Sequence, residues 1–258
     1  MKNKFSNKPK RKYFKSSVNI TWMLPNMLTL SALLSGLSAI RFAFLERWEF
    51  AVFMVALAGI FDALDGRMAR LLKATSGFGE QLDSLSDIVV FGVVPAILLY
   101  LFVLNEGGRI AWASCLFYVA CCALRLARFN SEIHLKPKWA ENYFTGIPSP
   151  AAAFLVLMPL VIEFKHDWSF NTDWRFVALW IVLIGIGAIS PFPTFAGKGF
   201  SFPTKMVLPI FAIYALIIVG LIARPWEAWL LLGVIYIILI PFSILKFNKL
   251  KKNAHSEN

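Results

Sequence analysis

Eight blocks of mainly apolar residues, at roughly 24–45, 50–72, 84–105, 109–129, 148–164, 174–190, 206–223 and 226–246, take up most of the chain. A helix needs about 20 such residues to cross a bilayer. Inside hydrocarbon every backbone N–H and C=O must be bonded within the protein, which helices of this length achieve. The blocks at 148–164 and 174–190 are short and interrupted by Pro or Gly, so the sequence predicts six to eight spans. The expected fold class is all-α, a polytopic membrane helical bundle with no room for a separate soluble domain. Composition excludes the alternatives: 58% of residues are hydrophobic and 16% charged, against roughly 45–50% and about 25% in soluble domains. Cys115, Cys121 and Cys122 fall in one apolar block without a CxxC spacing, so they read as small buried hydrophobes rather than a metal or redox motif.

The charge of +11 is distributed by side rather than by patch. With eight spans threaded in order, twenty Lys and Arg fall on the side of the two termini and six on the other. That bias predicts both termini in the cytoplasm, and a basic surface for anionic lipid headgroups rather than nucleic acid. Three regions follow: a basic tail at 1–24 with an interfacial helix over 13–24, a transmembrane domain at 25–246 opened by Pro25, and a basic tail at 247–258. The first apolar run is too long for a signal peptide and has no small-residue cleavage site after it. Gly197-Lys198-Gly199 lacks the upstream glycine and the following Ser or Thr of a phosphate-binding loop.

Of six Asp in the chain, four lie within 26 residues: Asp62, Asp65, Asp83 and Asp87. Carboxylates at membrane depth are expensive unless paired, solvated or bound to a cation. At about 100° per residue, Asp62, Asp65, Gly66 and Ala69 share one helix face. Asp83 and Asp87 share another. A hairpin joined by a Gly77–Gly79 loop would turn the two faces together. Few basic residues are available to neutralise four acids, so a cation is required. All-oxygen ligands suit Mg2+, Mn2+ or Ca2+ rather than zinc. Gly66 and Ala69 leave a notch beside the acids, and Arg67 and Arg70, one turn on, suit phosphate oxygens.

The stretch from Asp62 to Asp87 reads DxxDGxxARx8GxxxDxxxD without a mismatch, and in this it resembles the CDP-alcohol phosphatidyltransferase family. Pro25-Asn26 with Thr29 is similar to the family's opening of its first helix. Leu124–Asn130 and Gly146–Ala153 resemble the membrane-integral bacterial phosphatidylserine synthase branch. The resemblance covers about residues 20–160. It implies that Asp62, Asp65 and Asp83 are metal ligands with Asp87 sharing coordination, in a site for two divalent cations, Mg2+ or Mn2+. It implies further that Asp87 is the general base. Asn26, Thr29, Gly66, Ala69 and Gly79 would line a cytidine pocket, with Arg70 on the pyrophosphate. The implied substrates are CDP-diacylglycerol and L-serine, the implied assembly a homodimer, and the implied place the bacterial inner membrane with the site facing the cytoplasm.

Arg125 and Arg128 admit two readings, positive-inside anchoring or recognition of an anion, either the lipid phosphate or the carboxylate of an amino-acid acceptor. Asn130 and Ser149 would add hydrogen bonds to serine. Another acceptor (glycerol 3-phosphate, inositol phosphate or choline) is the alternative within the reaction class. A cation transporter is the alternative outside it, and it predicts acids spread along several helices rather than gathered at one end.

Overall fold

The computed structural model describes residues 20–74, 76–132, 143–164, 173–195 and 206–256. Apart from one short two-stranded ribbon the described elements are helical. Helix α1 (Ile20–Phe44) and helix α2 (Trp48–Leu71) form a long hairpin, turned at Glu46 with φ of 58°. Ala32, Gly36, Ala39 and Ala43 make a buried small-residue stripe on α1. Ala51, Val52, Val55 and Ala58 are the buried residues on the apolar length of α2. Small residues let backbones approach where no hydrophobic effect drives helices together. A Cβ on Gly36 would stand 3.0 Å from Val90, so that approach is already tight. The expected start at Pro25 is corrected: α1 begins five residues earlier and carries Pro25 inside, with Met23 already part of the first apolar span.

Helix α3 (Gly77–Asp87), a π-turn (Ile88–Val93) and helix α4 (Val94–Phe102) form one continuous rod. The expected glycine loop is also corrected. The chain turns before Ser76, which caps α3 by accepting from Gly79 N at 3.0 Å, and Gly77 and Gly79 sit in the first helical turn. Pro95 explains the widening: it lacks the N–H that would bond the Phe91 carbonyl one turn back. The backbone adopts i→i+5 bonding, Val94 N donating to Val89 O. The Phe91 carbonyl accepts from Tyr118 Oη at 2.8 Å.

A 3-10 turn (Leu104–Gly107) leads into helix α5 (Gly108–Glu132). Helix α8 (Trp174–Ile189) lies close along it, Gly185 facing the Tyr118 backbone. The block expected at 148–164 is two short helices, α6 (Ser149–Val156) and α7 (Met158–Ile162), broken at Leu157 ahead of Pro159. Strands β1 (Tyr143–Thr145) and β2 (Pro193–Phe195) pair antiparallel, tying the start of α6 to the end of α8. Gly146 follows β1 at φ of 73°, and a Cβ there would lie 2.3 Å from Ala188 O. Both the backbone region and the close approach demand glycine. Gly146→Ala is therefore expected to destabilise the fold by about 2 kcal/mol or more, read as a lower unfolding midpoint in detergent.

Helix α9 (Val207–Ala223) lies outermost, with Leu208, Phe211, Leu216 and Ile222 exposed, as lipid-facing residues are. Helix α10 (Pro225–Ser256) runs from the last apolar block into the basic tail without a break. Its inner face is fixed by Trp229, stacked on Phe154 at 4.2 Å and donating to Phe154 O, and by Phe247 edge-on to Tyr143. Among the described residues, four helices are long and apolar enough to cross a membrane, Met23–Phe44, Gly77–Phe102, Leu104–Ser131 and Pro225–Leu250, with shorter apolar helices at Trp174–Ile189 and Leu208–Ala223. These make the chain an integral membrane protein. The interfacial helix expected at 13–24 falls mostly outside the described residues.

Candidate active site

The four aspartates reach one place because two helices meet at one end of the bundle. Asp62, Asp83 and Asp87 offer carboxylate oxygens that all lie within 4.8 Å of one another. Asp62 and Asp87 are close enough to share a hydrogen bond. Asp65 stands beside them, within electrostatic reach of Asp62 and Asp83. It is only 5% exposed and accepts from Thr29 Oγ at 2.6 Å, so α1 orients this carboxylate. Thr29, expected to line the cytidine pocket, stands beside the acids through this bond to Asp65. Ser86 Oγ donates to Thr29 O at 3.4 Å, which ties α3 to the same turn of α1.

Three carboxylates gathered this closely repel one another, and a divalent cation is the simplest partner that offsets the repulsion. Their donor set is all oxygen, as Mg2+, Mn2+ or Ca2+ prefers. The cluster could therefore hold a metal ion. Small residues surround it on the open side. A Cβ on Gly66 would meet nothing within 4 Å, so space lies beside the acids. Gly79 faces Asn26, whose Oδ1 would be 3.0 Å from a Cβ there, which brings these two expected pocket residues together. Ala69 is half-buried. Exposed Arg70 donates from Nε to Gly66 O at 3.0 Å, holding its guanidinium along the acidic face.

The four residues expected to meet the acceptor separate into different surroundings. Arg125 is 6% exposed, donates to Ser149 Oγ and lies within electrostatic reach of Asp87. Arg128 donates to Ile189 O, so it caps the C-terminal end of α8. Asn130 donates to Ser84 Oγ at 3.0 Å, bridging α5 to α3 on an exposed surface.

Two functional features were not anticipated from sequence. The first is the Tyr118 hydrogen bond to the widened turn, which begins directly after Asp87. Its one sequence signal is Pro95, four residues after Phe91. Tyr118→Phe is expected to lower turnover several-fold by letting the Asp87 turn shift, with a stability loss of about 1 kcal/mol. A steady-state comparison in which kcat falls and the KM for the lipid substrate holds would separate this from general loosening. The second is a groove of about 790 Å3 between α2, α6 and α10, lined by Ile60, Leu64, Phe154, Trp229 and Leu232, with Arg67 among its lining.

A family profile described as CDP-alcohol phosphatidyltransferase matches residues 22–187, and a second, CDP-alcohol phosphatidyltransferase 2, matches residues 205–241. Curated relatives are similar over most of the chain. A CDP-diacylglycerol--serine O-phosphatidyltransferase of Mycobacterium tuberculosis is 33% identical over 86% of this chain and 78% of its own length. One of Helicobacter pylori, with the same name, is 34% identical over 91% of this chain and 98% of its own. One of Methanocaldococcus jannaschii is 36% identical over 65% of this chain and 73% of its own.

Proposed function

The chain belongs to the CDP-alcohol phosphatidyltransferase family, and on that premise we propose that it transfers the phosphatidyl group of CDP-diacylglycerol to L-serine. The products are phosphatidylserine and CMP. The observation that carries this reading is the convergence of Asp62, Asp83 and Asp87 beside an open notch at Gly66. The serine hydroxyl oxygen forms a bond to the phosphatidyl phosphorus as the bond from that phosphorus to the CMP oxygen breaks. Asp87 takes the hydroxyl proton, and CMP leaves as the anion. A divalent cation held by Asp62, Asp83 and Asp87, Mg2+ or Mn2+ with Ca2+ also suited, supplies positive charge against the pyrophosphate. Asp65 completes the donors for a second one.

The rest of the chain binds and orients. The cytidine lies against Gly66, Ala69, Gly79 and Asn26, where small side chains leave room. Arg70 takes pyrophosphate oxygens. An acyl chain of the lipid runs along the apolar groove. Between Val55 and Arg67 that groove follows twelve residues of α2. At 1.5 Å per residue this is about 18 Å, slightly more than the half-thickness of a bilayer core of about 30 Å. Arg125 and Ser149 face the acceptor. The acids face the cytoplasm, and the Lys- and Arg-rich ends of the sequence suit anionic lipids of the inner membrane, in a six- to eight-span homodimer.

The test is product formation from CDP-diacylglycerol with labelled L-serine, glycerol 3-phosphate, inositol phosphate or choline supplied separately. Label entering lipid from serine alone supports the proposal. Label entering from a different acceptor keeps the reaction class and removes serine. Gathering of the acids at one end, instead of along a path through the bundle, speaks against ion transport.

A further inference from the structure

Among the described residues, three buried side-chain polar atoms have no hydrogen-bond partner: Arg125 Nε, Tyr236 Oη and Ser243 Oγ. Such groups are costly to bury and are retained where something else satisfies them. Two of the three belong together, because the Arg125 guanidinium and the Tyr236 hydroxyl lie within electrostatic reach of each other. Arg125 is held from three sides. Its terminal nitrogen is bound to Ser149, its plane lies 5.9 Å from the Phe129 ring centre, and Asp87 is in range. Nε is the donor left over. Tyr236 is equally fixed, since α10 is clamped one face-repeat earlier by Trp229 on Phe154 and later by Phe247 on Tyr143. Thr194 approaches the phenol without a hydrogen bond of regular geometry. Its own proton is donated to Gly146 O at 2.7 Å.

We infer that Arg125 Nε and Tyr236 Oη together bind the carboxylate of the acceptor, which makes Tyr236 of the last helix a residue that selects for an amino acid. A carboxylate only accepts, and its two oxygens match two donors. The acceptor needs its hydroxyl at Asp87, and Arg125 interacts with Asp87, so one small molecule can reach both. Residue 236 lies beyond the 22–187 match, within the second match at 205–241, and is contributed by the C-terminal hairpin. On this assignment that hairpin walls the acceptor pocket as well as the lipid groove.

The inference rests on serine being the acceptor, and the test keeps the two apart. Wild-type protein and Tyr236→Phe are assayed for phosphatidyl transfer with L-serine, and with 2-aminoethanol, which is serine without its carboxylate. In the variant the KM for serine should rise about tenfold or more, as when a hydrogen bond to a charged group is lost. The KM for CDP-diacylglycerol should stay put, and the preference for serine over 2-aminoethanol should shrink. An unchanged serine KM overturns the carboxylate clamp. A raised lipid KM with constant serine KM overturns it too, placing the two donors on the lipid phosphate. Wild-type protein also serves without any variant: serine methyl ester should be a much poorer acceptor than serine, and equal use of the two would overturn the inference. Failure of wild type to use serine at all removes the acceptor reading itself.

Discussion

Asp87→Asn is expected to lower phosphatidyl transfer by at least about 10²- to 10⁴-fold, the usual contribution of a positioned base, while CDP-diacylglycerol still binds. The amide is nearly isosteric and keeps one oxygen toward Asp62 and Asp83, so the surroundings of the nucleotide change little. What disappears is the group that accepts the serine proton. The consequence is a split between chemistry and binding. Equilibrium binding of CDP-diacylglycerol to the variant, alongside single-turnover CMP release, measures both. A variant that turns over normally would remove Asp87 as the base. One that loses binding and turnover together would make it a ligand only.

Asp62→Asn is expected to act in the opposite order. Asp62 shares its close approach with both Asp83 and Asp87, so neutralising it relieves repulsion within the trio. Without divalent cations the variant should therefore unfold at a higher temperature than wild type. With them, wild type should gain stability as a bound ligand confers it, and the variant should gain little. Nucleotide binding and activity should fall together, because the charge that holds the pyrophosphate is lost. Thermal unfolding of both proteins across a Mg2+ or Mn2+ titration reads this out without any turnover. Parallel curves for the two proteins would contradict cation binding at this cluster.

The acidic cluster is the part of the molecule that its sequence shows most clearly. Spacing alone places Asp62 with Asp65 and Asp83 with Asp87, because helical periodicity converts three or four residues into one face. The meeting of the two faces follows from the short turn between α2 and α3. Less legible was everything decided by long-range packing. Pro25 reads as a helix start, yet apolar residues on both sides keep α1 helical through it. Gly77 and Gly79 read as a loop, although Ser76 caps a helix that contains them. Arg128 carries the same charge as Arg125 three residues earlier on the same helix. Only the position of the α8 terminus makes one a cap and leaves the other beside the acids. Tyr236 sits in a run of Ile, Val and Leu and has no local signature. Its significance comes from Arg125, more than a hundred residues away in sequence.

The π-turn shows how a backbone irregularity serves the site. Pro95 withdraws a donor, the helix widens by one residue, and Tyr118 takes the freed carbonyl. Such widened turns are frequent at functional sites, where they re-aim side chains. Here the turn begins at Ile88, directly after Asp87. The register of Asp87, the proposed base, is thus set from α5, the helix that also carries Arg125. Tyr118 on Phe91 O, and Asn130 on Ser84 further along, tie α5 to the α3–α4 rod that carries Asp83 and Asp87.

Cation-dependent transfer to serine is measured by CMP release from CDP-diacylglycerol by purified protein supplied with L-serine, before and after chelation. Serine-dependent release should stop when divalent cations are removed and return when Mg2+ or Mn2+ is restored. Release that continues unchanged in excess chelator would contradict the role given to Asp62, Asp83 and Asp87.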